Sequence, residues 1–196
     1  MKRLVVIVGP NAVGKTTTAR CLVDKLPKTA YVDSDWCRFM NPFPFTEVTK
    51  QTVTKNMYDI LHNYLVCEEL ENVIFTYSWH GERKEIYDNL TSQLKNAEIE
   101  FEAKIVILKC SEEENINRAE KDGRDRTRIE RGMKNTFSFY DGCDYPSIDS
   151  TNMSTNEVAE RIIELIERRA NYGKSKLYDD CTRCCRCIGM LSWKSL

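Results

Sequence analysis

The 196-residue sequence has no apolar run that is long enough to cross a membrane. It also has no excess of either charge, because 29 lysines and arginines stand against 30 acidic residues, for a net charge of -1. A protein that binds long nucleic acids usually carries a basic excess, so the charge balance argues against that class. Internal repeats and low-complexity linkers are missing too. The length and the hydrophobic fraction of 41% fit one globular domain with a sizeable core.

The N-terminal segment MKRLVVIVGP has a charged start and a short apolar stretch, as a secretion signal has. It lacks the small-residue cleavage site of such a signal, and it runs straight into a glycine-containing loop. We therefore interpret it as the first strand and expect a cytoplasmic protein. Scattered free thiols are typical of a reducing compartment, and five of the nine cysteines are scattered in this way: Cys21, Cys37, Cys67, Cys110 and Cys143.

Short apolar runs alternate with longer amphipathic segments along the chain. Strands are predicted at residues 4–8, 29–33, 72–77, 101–110 and 145–149. Helices are predicted at residues 15–26, 46–70, 83–96 and 154–170, and another opens at Ser111, with Glu114 as its capping partner. Such alternation predicts a three-layer α/β fold, in which helices cover both faces of a five-stranded parallel sheet. Ligands of these sheets bind beyond the carboxyl ends of the strands.

The segment after the first strand, GPNAVGKT at residues 9–16, fits the phosphate-loop pattern G-x-x-x-x-G-K-[ST]. Gly9 and Gly14 let the backbone bend so that successive N–H groups converge on phosphate oxygens. Lys15 can reach the β and γ phosphates, and the Thr16 hydroxyl can ligate Mg²⁺. We therefore predict ATP and Mg²⁺ as cofactors. The predicted nucleotide-binding residues are Gly9, Asn11, Ala12, Val13, Gly14, Lys15, Thr16, Thr17 and Arg118.

Two carboxylates, Asp33 and Asp35, follow the second strand directly. Alternation along an extended chain would put both on the same side, facing the phosphate loop. One carboxylate could then serve Mg²⁺ while the other orients the acceptor hydroxyl and takes its proton. Aspartate and serine also form turns and helix caps, so a purely structural use of Asp33-Ser34-Asp35 is the alternative.

The phosphate loop followed by Asp33-Ser34-Asp35 resembles the small P-loop kinases: shikimate kinase, gluconate kinase, adenylylsulfate kinase and antibiotic phosphotransferases. The likeness extends over about residues 1–170, since 118–131 resembles their arginine-rich lid and 145–158 resembles their last strand, adenine-side loop and final helix. It implies a P-loop NTPase fold with a mobile lid. In shikimate kinase the first aspartate is associated with magnesium and the second with the substrate hydroxyl, which assigns the metal to Asp33 and the catalytic base to Asp35.

The chain departs from this pattern after the third strand, where it has Thr76-Tyr77-Ser78-Trp79-His80 instead of the glycine-rich loop of shikimate kinase. The acidic residue that often ends this strand in nucleotide kinases is missing as well. Asp35-Trp36-Cys37-Arg38 is similar to the D-x-x-R of polynucleotide 5′-kinases and adenylylsulfate kinase, where the arginine serves an anion on the acceptor. Asp35, Arg38 and Tyr77 are therefore the predicted substrate-binding residues, and the acceptor stays open.

Arginines are concentrated in one segment, at positions 118, 124, 126, 128 and 131. If the segment is helical, Arg124, Arg128 and Arg131 share one face. The segment is then either a solvated charged helix or a lid that supplies positive charge to the transferred phosphoryl group. For the lid we select Arg118 at the nucleotide and Arg126 as the catalytic arginine, beside Lys15 and Asp35.

Six aromatic residues follow the second and third strands and either stack on an acceptor ring or pack in the core: Trp36, Phe39, Phe43, Phe45, Tyr77 and Trp79.

We expect a kinase domain at residues 1–172 and a tail at 173–196. The tail carries Cys181, Cys184, Cys185 and Cys187, in which one C-x-x-C is half of a typical zinc site. Reactive thiols without a metal are the alternative.

These features together predict a kinase that moves the γ-phosphoryl group of ATP to the hydroxyl of a small molecule. Two alternatives stay open. One is a kinase of nucleotide or polynucleotide 5′-hydroxyls, which Arg38 and the aromatic residues favour. The other is a non-catalytic ATP-binding regulatory module, which the missing acidic residue after the third strand favours.

Overall fold

The computed structural model describes residues 1–42, 44–81 and 83–167, and these form a parallel sheet between two layers of helices. Its strands are β1 (Lys2–Val8), β2 (Thr29–Asp33), β3 (Asn72–Tyr77), β4 (Phe101–Lys109) and β5 (Ser147–Asp149). Its helices are α1 (Lys15–Lys25), α2 (Glu47–Val66), α3 (Arg83–Asn96), α4 (Glu112–Lys121), α5 (Arg126–Gly132) and α6 (Thr155–Glu167). The α/β fold class predicted from the sequence is therefore confirmed.

The strands of the sheet lie in the order β2-β3-β1-β4-β5, with every neighbouring pair parallel. Val8, the last residue of β1, lies opposite Tyr77 and Ile107. Asp33, the last residue of β2, lies opposite Thr76. This register brings the carboxyl ends of β1, β2 and β3 to one edge of the sheet, so the segments that follow them can share a site.

The sheet is buried on both faces, and this explains why its strands read as continuous apolar runs. Leu4, Val6 and Val8 of β1 pack into a cluster that includes α2 and α3 side chains such as Met57 and Leu90. Val5 and Ile7 point to the opposite face and pack with α1 and α6 side chains, among them Leu22 and Ile162. Alternate residues of one strand thus anchor the two helical layers.

Most element boundaries predicted from the sequence differ from the observed ones by a few residues. The second helix is shorter than predicted, since it ends at Val66. Ser111 caps α4 by accepting a hydrogen bond from the Glu114 N–H. The predicted return bond from the Glu114 side chain is wrong, because the Ser111 N–H donates to Thr151 Oγ1 at 2.8 Å and Glu114 pairs with Arg118.

The arginine-rich segment does not form the single helical face that its spacing suggests. The chain turns at Gly123, with φ of 70°, and α5 begins only at Arg126, with Asp125 as its N-cap. Arg124 precedes this helix, so it cannot share a face with Arg128 and Arg131. Of the residues singled out in the sequence analysis, five lie outside the described part of the chain, namely Phe43, Cys181, Cys184, Cys185 and Cys187. Among the helices that are described, none combines the length and the apolar character needed to cross a membrane.

Candidate active site

The loop from Gly9 to Thr16 connects β1 to α1 and takes a backbone course that few residue types allow. A Cβ atom on Gly9 would lie 2.4 Å from the backbone oxygen of Leu108 in β4, which is too close for any side chain. Gly14, the N-cap of α1, has φ of 100°, and Ala12 has φ of 65°. This conformation turns the loop back over the N-terminus of α1, where backbone N–H groups can meet an anion.

The side chain of Lys15 lies across this loop. Its ammonium group donates hydrogen bonds to the backbone oxygens of Gly9 at 2.9 Å and Pro10 at 2.7 Å. Burial lowers the pKa of Lys15 to about 8, although the nearby carboxylates of Asp35 and Asp33 act in the opposite direction. The lysine is thus held in place by neutral carbonyls, and a phosphate oxygen would give its charge a better partner.

Thr16 and Asp33 form the hard-oxygen pair that the sequence assigned to Mg²⁺. The Thr16 hydroxyl donates to Asp33 Oδ2 at 3.0 Å, and the Tyr31 hydroxyl donates to the same oxygen at 2.7 Å. The Tyr31 hydroxyl also lies 3.1 Å from Thr76 Oγ1 at the end of β3. Asp33 Oδ2 therefore accepts two hydrogen bonds, one of them from Thr16 in the phosphate loop.

Asp35 occupies the turn after β2, and it is not extended as the alternation argument assumed. The Asp35 N–H donates to Asp33 Oδ1 at 3.0 Å, so the structural turn that was the alternative for Asp33-Ser34-Asp35 is present. Asp35 is paired with Arg38, three residues further along, in a short 3₁₀ turn at Trp36–Arg38. The side chain of Asp35 is 68% exposed, so part of its carboxylate is open to solvent.

A cavity of about 290 Å³ lies at the carboxyl edge of the sheet, between the phosphate loop and the segments after β2 and β3. The predicted site residues that line it are Asn11, Ala12, Gly14, Lys15, Thr16, Thr17, Asp33, Asp35, Tyr77 and Arg118. Gly9 and Val13 shape the loop from behind, and Val13 is buried in the core. The structure thus brings together most of the site that the sequence predicted.

Arg118 is the most extensively bonded arginine at this cavity. Its guanidinium donates to the backbone oxygens of Val13 at 2.9 Å and Ser150 at 2.8 Å, and to Ser150 Oγ at 3.0 Å. It also pairs with Glu114 at 2.7 Å. These bonds tie α4 to the phosphate loop and to the segment after β5, so Arg118 holds this side of the cavity together.

Arg126 is not at the site in this structure, contrary to the role predicted for it. Its side chain is 92% exposed on α5 and pairs with Glu130 one turn further along. Arg124 lines the cavity instead and pairs with Asp122 at 3.3 Å. The reason is the turn at Gly123, which directs Arg124 inward, and α5 begins three residues after this glycine, at Arg126.

The aromatic residues predicted near the acceptor divide into two groups. Tyr77 and Trp79 are buried, and Trp79 packs against Tyr87 and Tyr145, so core packing explains this pair. Trp36 and Phe39 are exposed, Phe39 to 96%. Tyr77 belongs both to the core and to the site, because its buried side chain also lines the main cavity.

A smaller cavity, of about 20 Å³, adjoins the main one and shares Ser34, Tyr77 and Ser78 with it. Arg38, Lys50 and Arg83 contribute positive charge to its wall. Nearby, burial and the charges of Arg83, Lys15 and Arg38 lower the pKa of His80 to about 4, so this histidine is neutral.

Sequence reasoning missed several residues of the site. Arg83 and Ser78 follow β3, and the expectation that ligands bind beyond the carboxyl ends of parallel strands could have identified them. No sequence pattern pointed to Tyr140. Its hydroxyl accepts a hydrogen bond from the Trp79 N–H at 2.8 Å and also bonds the backbone of Gly9. Asn115 of α4 likewise carried none, and it donates to the backbone oxygen of Asn11 at 2.9 Å.

The donor set fits ATP with Mg²⁺. Mg²⁺ prefers hard oxygens and keeps several of its waters, so one hydroxyl and one carboxylate, Thr16 and Asp33, suffice as protein ligands. Within the described residues there is no cluster of three or more histidine, cysteine or acidic side chains that could hold a metal alone. The loop amides and Lys15 could supply contacts to phosphate oxygens.

No protein-family model matches the chain, and no curated protein matches it by sequence. Solved structures do match it, and they show that its fold is that of the small P-loop kinases.

The tunicamycin resistance protein of Deinococcus radiodurans is 20% identical, with a TM-score of 0.62 over 85% of this chain and 96% of that one. The APS kinase of Mycobacterium tuberculosis, solved with AMPPNP and APS, is 17% identical, with a TM-score of 0.58 over 85% and 98%. The shikimate kinase of Acinetobacter baumannii, solved with shikimate, is also 17% identical, with a TM-score of 0.56 over 85% and 93%.

Proposed function

We propose that the protein is a kinase that transfers the γ-phosphoryl group of ATP to a hydroxyl group of a small molecule. The observation that carries this proposal is the convergence on one cavity of Lys15, the Thr16–Asp33 pair and Asp35. A nucleotide-binding fold alone needs only the first two of these. The additional carboxylate next to them, with an exposed edge, provides a place for an acceptor.

Each polar group has a role in binding the nucleotide. The loop amides and Lys15 bind the β and γ phosphates, and Thr16 and Asp33 hold Mg²⁺, which neutralises charge on the phosphate oxygens when it is bound. Arg118 keeps the loop in position through the backbone oxygen of Val13. Arg124 lines the cavity, and its positive charge stabilises the γ-phosphoryl group during transfer.

Asp35 orients the acceptor hydroxyl and takes its proton as the bond to phosphorus forms. The acceptor oxygen attacks the γ-phosphorus in line, the bond to the β–γ bridging oxygen breaks, and ADP leaves with that electron pair. Arg38 holds the Asp35 carboxylate through its ion pair. Asp35 is partly exposed before an acceptor arrives, so the acceptor itself removes water from this carboxylate.

The Asp35→Asn variant tests this assignment. We expect it to lose phosphoryl transfer by a factor of about 10²–10⁴, because the general base is removed, while its affinity for the ATP analogue AMPPNP stays near that of the wild type. Transfer is measured with γ-labelled ATP and affinity by calorimetry. Asp59→Asn is the control, because Asp59 is an aspartate on α2 that pairs only with Lys55 in the described contacts. Unchanged transfer in Asp35→Asn would exclude Asp35 as the base.

The acceptor is identified by offering small alcohols, sugar acids, nucleosides and oligonucleotides with γ-labelled ATP. We expect a labelled small-molecule product, and we expect oligonucleotides to be poor acceptors because the net charge of -1 provides no basic track for a strand. Nucleotide binding without any labelled product would favour the non-catalytic module. A labelled oligonucleotide 5′ end would favour the alternative of a polynucleotide 5′-hydroxyl kinase.

A further inference from the structure

Tyr140 is a buried tyrosine to which the proposed reaction assigns no role. It belongs to a short strap after α5, which consists of a π turn at Met133–Phe137 and a 3₁₀ turn at Ser138–Tyr140. Thr136 is 3% exposed and Tyr140 is 1% exposed, whereas Phe139 beside them is 36% exposed. A spacing of four residues places side chains on one face of a helical segment, so the strap directs both hydroxyls inward. Buried hydroxyls require hydrogen-bond partners.

The Tyr140 hydroxyl finds its partners where β1 and β3 stop pairing. Val8 and Tyr77 are the last residues of the two strands that lie opposite each other. Beyond them, the Trp79 N–H donates to the Tyr140 hydroxyl at 2.8 Å, and the same hydroxyl bonds the backbone of Gly9. A buried backbone N–H must find an acceptor when its strand ladder ends. One phenol oxygen thus ties together the ends of two neighbouring strands.

The bond to Gly9 connects the strap to the side chain of Lys15. The backbone oxygen of Gly9 accepts a hydrogen bond from the Lys15 ammonium group at 2.9 Å, so the Gly9 residue lies between the tyrosine and the lysine. The strap also reaches the loop at a second point, since the Asn11 N–H lies 3.5 Å from Thr136 Oγ1. Tyr140 and Thr136 therefore contact the first and third residues of the phosphate loop.

The bond to Trp79 connects the strap to the segment after β3. Tyr77 and Ser78, which precede Trp79, line the main cavity. The Ser78 hydroxyl donates to Asn11 Oδ1 at 3.3 Å, so this segment is itself joined to the phosphate loop. Tyr140 thereby holds two walls of the cavity, although its own side chain does not line it.

We propose that Tyr140 is a positioning residue for phosphoryl transfer, because its hydroxyl fixes the Gly9 backbone that binds Lys15 and the Trp79 backbone behind the opposite wall of the cavity. This inference rests on the proposed kinase function and adds to it a residue from outside the cavity. Burial raises the pKa of the Tyr140 hydroxyl, so it is neutral and acts through hydrogen bonds alone. Without it the strand ends can shift by a fraction of an ångström, and phosphoryl transfer is steeply sensitive to such shifts.

The Tyr140→Phe variant keeps the buried ring and removes only the oxygen, and a binding cycle with Lys15→Gln tests it without turnover. The Kd for AMPPNP with Mg²⁺ is measured by calorimetry in the wild type, in each single variant and in the double variant. We expect Tyr140→Phe to raise the Kd by roughly 3- to 10-fold when Lys15 is present, because a charge-assisted contact is misplaced. In the Lys15→Gln protein the same change should raise it by less than about twofold.

A purely structural role of the hydroxyl gives the same factor in both backgrounds, because independent effects add in free energy. Equal losses in both backgrounds, or no loss in either, would therefore overturn the positioning role. Tyr58→Phe is the matched control, and we expect it to leave the Kd unchanged. Tyr58 lies on α2 and packs against His62, and its described contacts do not reach the phosphate loop.

A turnover experiment with the acceptor found by the label screen tests the effect on transfer. We expect Tyr140→Phe to lower kcat by roughly 10- to 100-fold, a larger factor than the rise in the KM for ATP, because misplacement costs most in the transition state. The rates are measured well below the melting temperatures of all variants. Ile166→Val, which removes one buried methyl group from the last turn of α6, controls for lost stability and should keep the wild-type kcat.

A wild-type kcat in Tyr140→Phe, or the same loss of kcat in Ile166→Val, would overturn the inference. Failure of the kinase proposal has a different signature. If the binding cycle shows the coupling to Lys15 and no acceptor yields a labelled product, the kinase proposal is overturned and Tyr140 is established as a positioning residue for nucleotide binding.

Discussion

The ammonium group of Lys15 is bound by two backbone carbonyls of its own loop and has no carboxylate within salt-bridge distance in the described residues. This arrangement fixes the position of the side chain. Its electrostatic consequence is a pKa lowered by burial to about 8, close enough to neutrality to be measured.

Nucleotide affinity should therefore depend on pH. Above about pH 8 the free protein holds neutral Lys15, while the triphosphate binds the ammonium form, so binding must take up a proton. We expect the Kd for AMPPNP at fixed Mg²⁺ to rise by up to about tenfold per pH unit above the pKa. Calorimetry in buffers of different ionisation enthalpy measures both the Kd and the proton uptake. Lys15→Arg should remove the dependence, and a flat wild-type profile would contradict the assignment.

The close packing of β1 against β4 requires glycine at position 9, in addition to the proposed approach of a phosphate to the backbone there. Gly9→Ala would place Cβ 2.4 Å from the Leu108 backbone oxygen, so β1 and β4 must move apart. We expect the free energy of unfolding to fall by about 1–3 kcal/mol, measured by urea denaturation. Gly132→Ala is the matched control, because its added Cβ would have its nearest contact at 4.0 Å and its φ is helical. A Gly9→Ala protein as stable as this control would show that the two strands relax freely.

At the scale of elements, the segment from α4 to α5 decides which arginines reach the site. Arg118 on α4 and Arg124 in the turn line the cavity, while Arg126 on α5 is directed to solvent. Both helices flank Gly123, whose φ of 70° sets their relative direction. The catalytic role predicted for Arg126 therefore has no support in this arrangement, and Arg124 is the arginine placed to act at the rim.

Two charge-removing variants separate these arginines. We expect Arg124→Gln to lower kcat/KM by roughly 10- to 100-fold, because it removes a charge from the cavity wall, and Arg126→Gln to lower it by less than about threefold. Steady-state kinetics at saturating ATP provide the measurement. A larger effect of Arg126→Gln would show that α5 moves onto the cavity during the reaction and would establish the lid that the sequence suggested.

At the scale of the whole molecule, the described residues up to Glu167 form the sheet, both helical layers and both cavities. The two apolar clusters of the core also lie within this range. The domain expected to end near residue 172 thus contains every group that the proposed reaction uses.

A chain truncated after residue 172 should therefore retain both fold and activity. We expect its kcat/KM to stay within about twofold of the full chain and its melting temperature to change by no more than about 2 °C, because no described core contact is removed. Kinetics with the identified acceptor and thermal unfolding followed by circular dichroism check these expectations. A loss of more than tenfold would assign the segment with Cys181 and Cys187 to the active unit.

The sequence by itself determined the parallel α/β fold, the phosphate loop and the carboxylates after β2, because each depends on local pattern. Buried strands require continuous apolar runs, and the loop requires glycine at Gly9 and Gly14. Only the tertiary structure decided which distant side chains meet. Arg83 reaches the smaller cavity and Tyr140 reaches Gly9 through strand register and helix placement, and the turn at Gly123 directs Arg124 inward. These outcomes depend on packing between elements rather than on spacing along the chain.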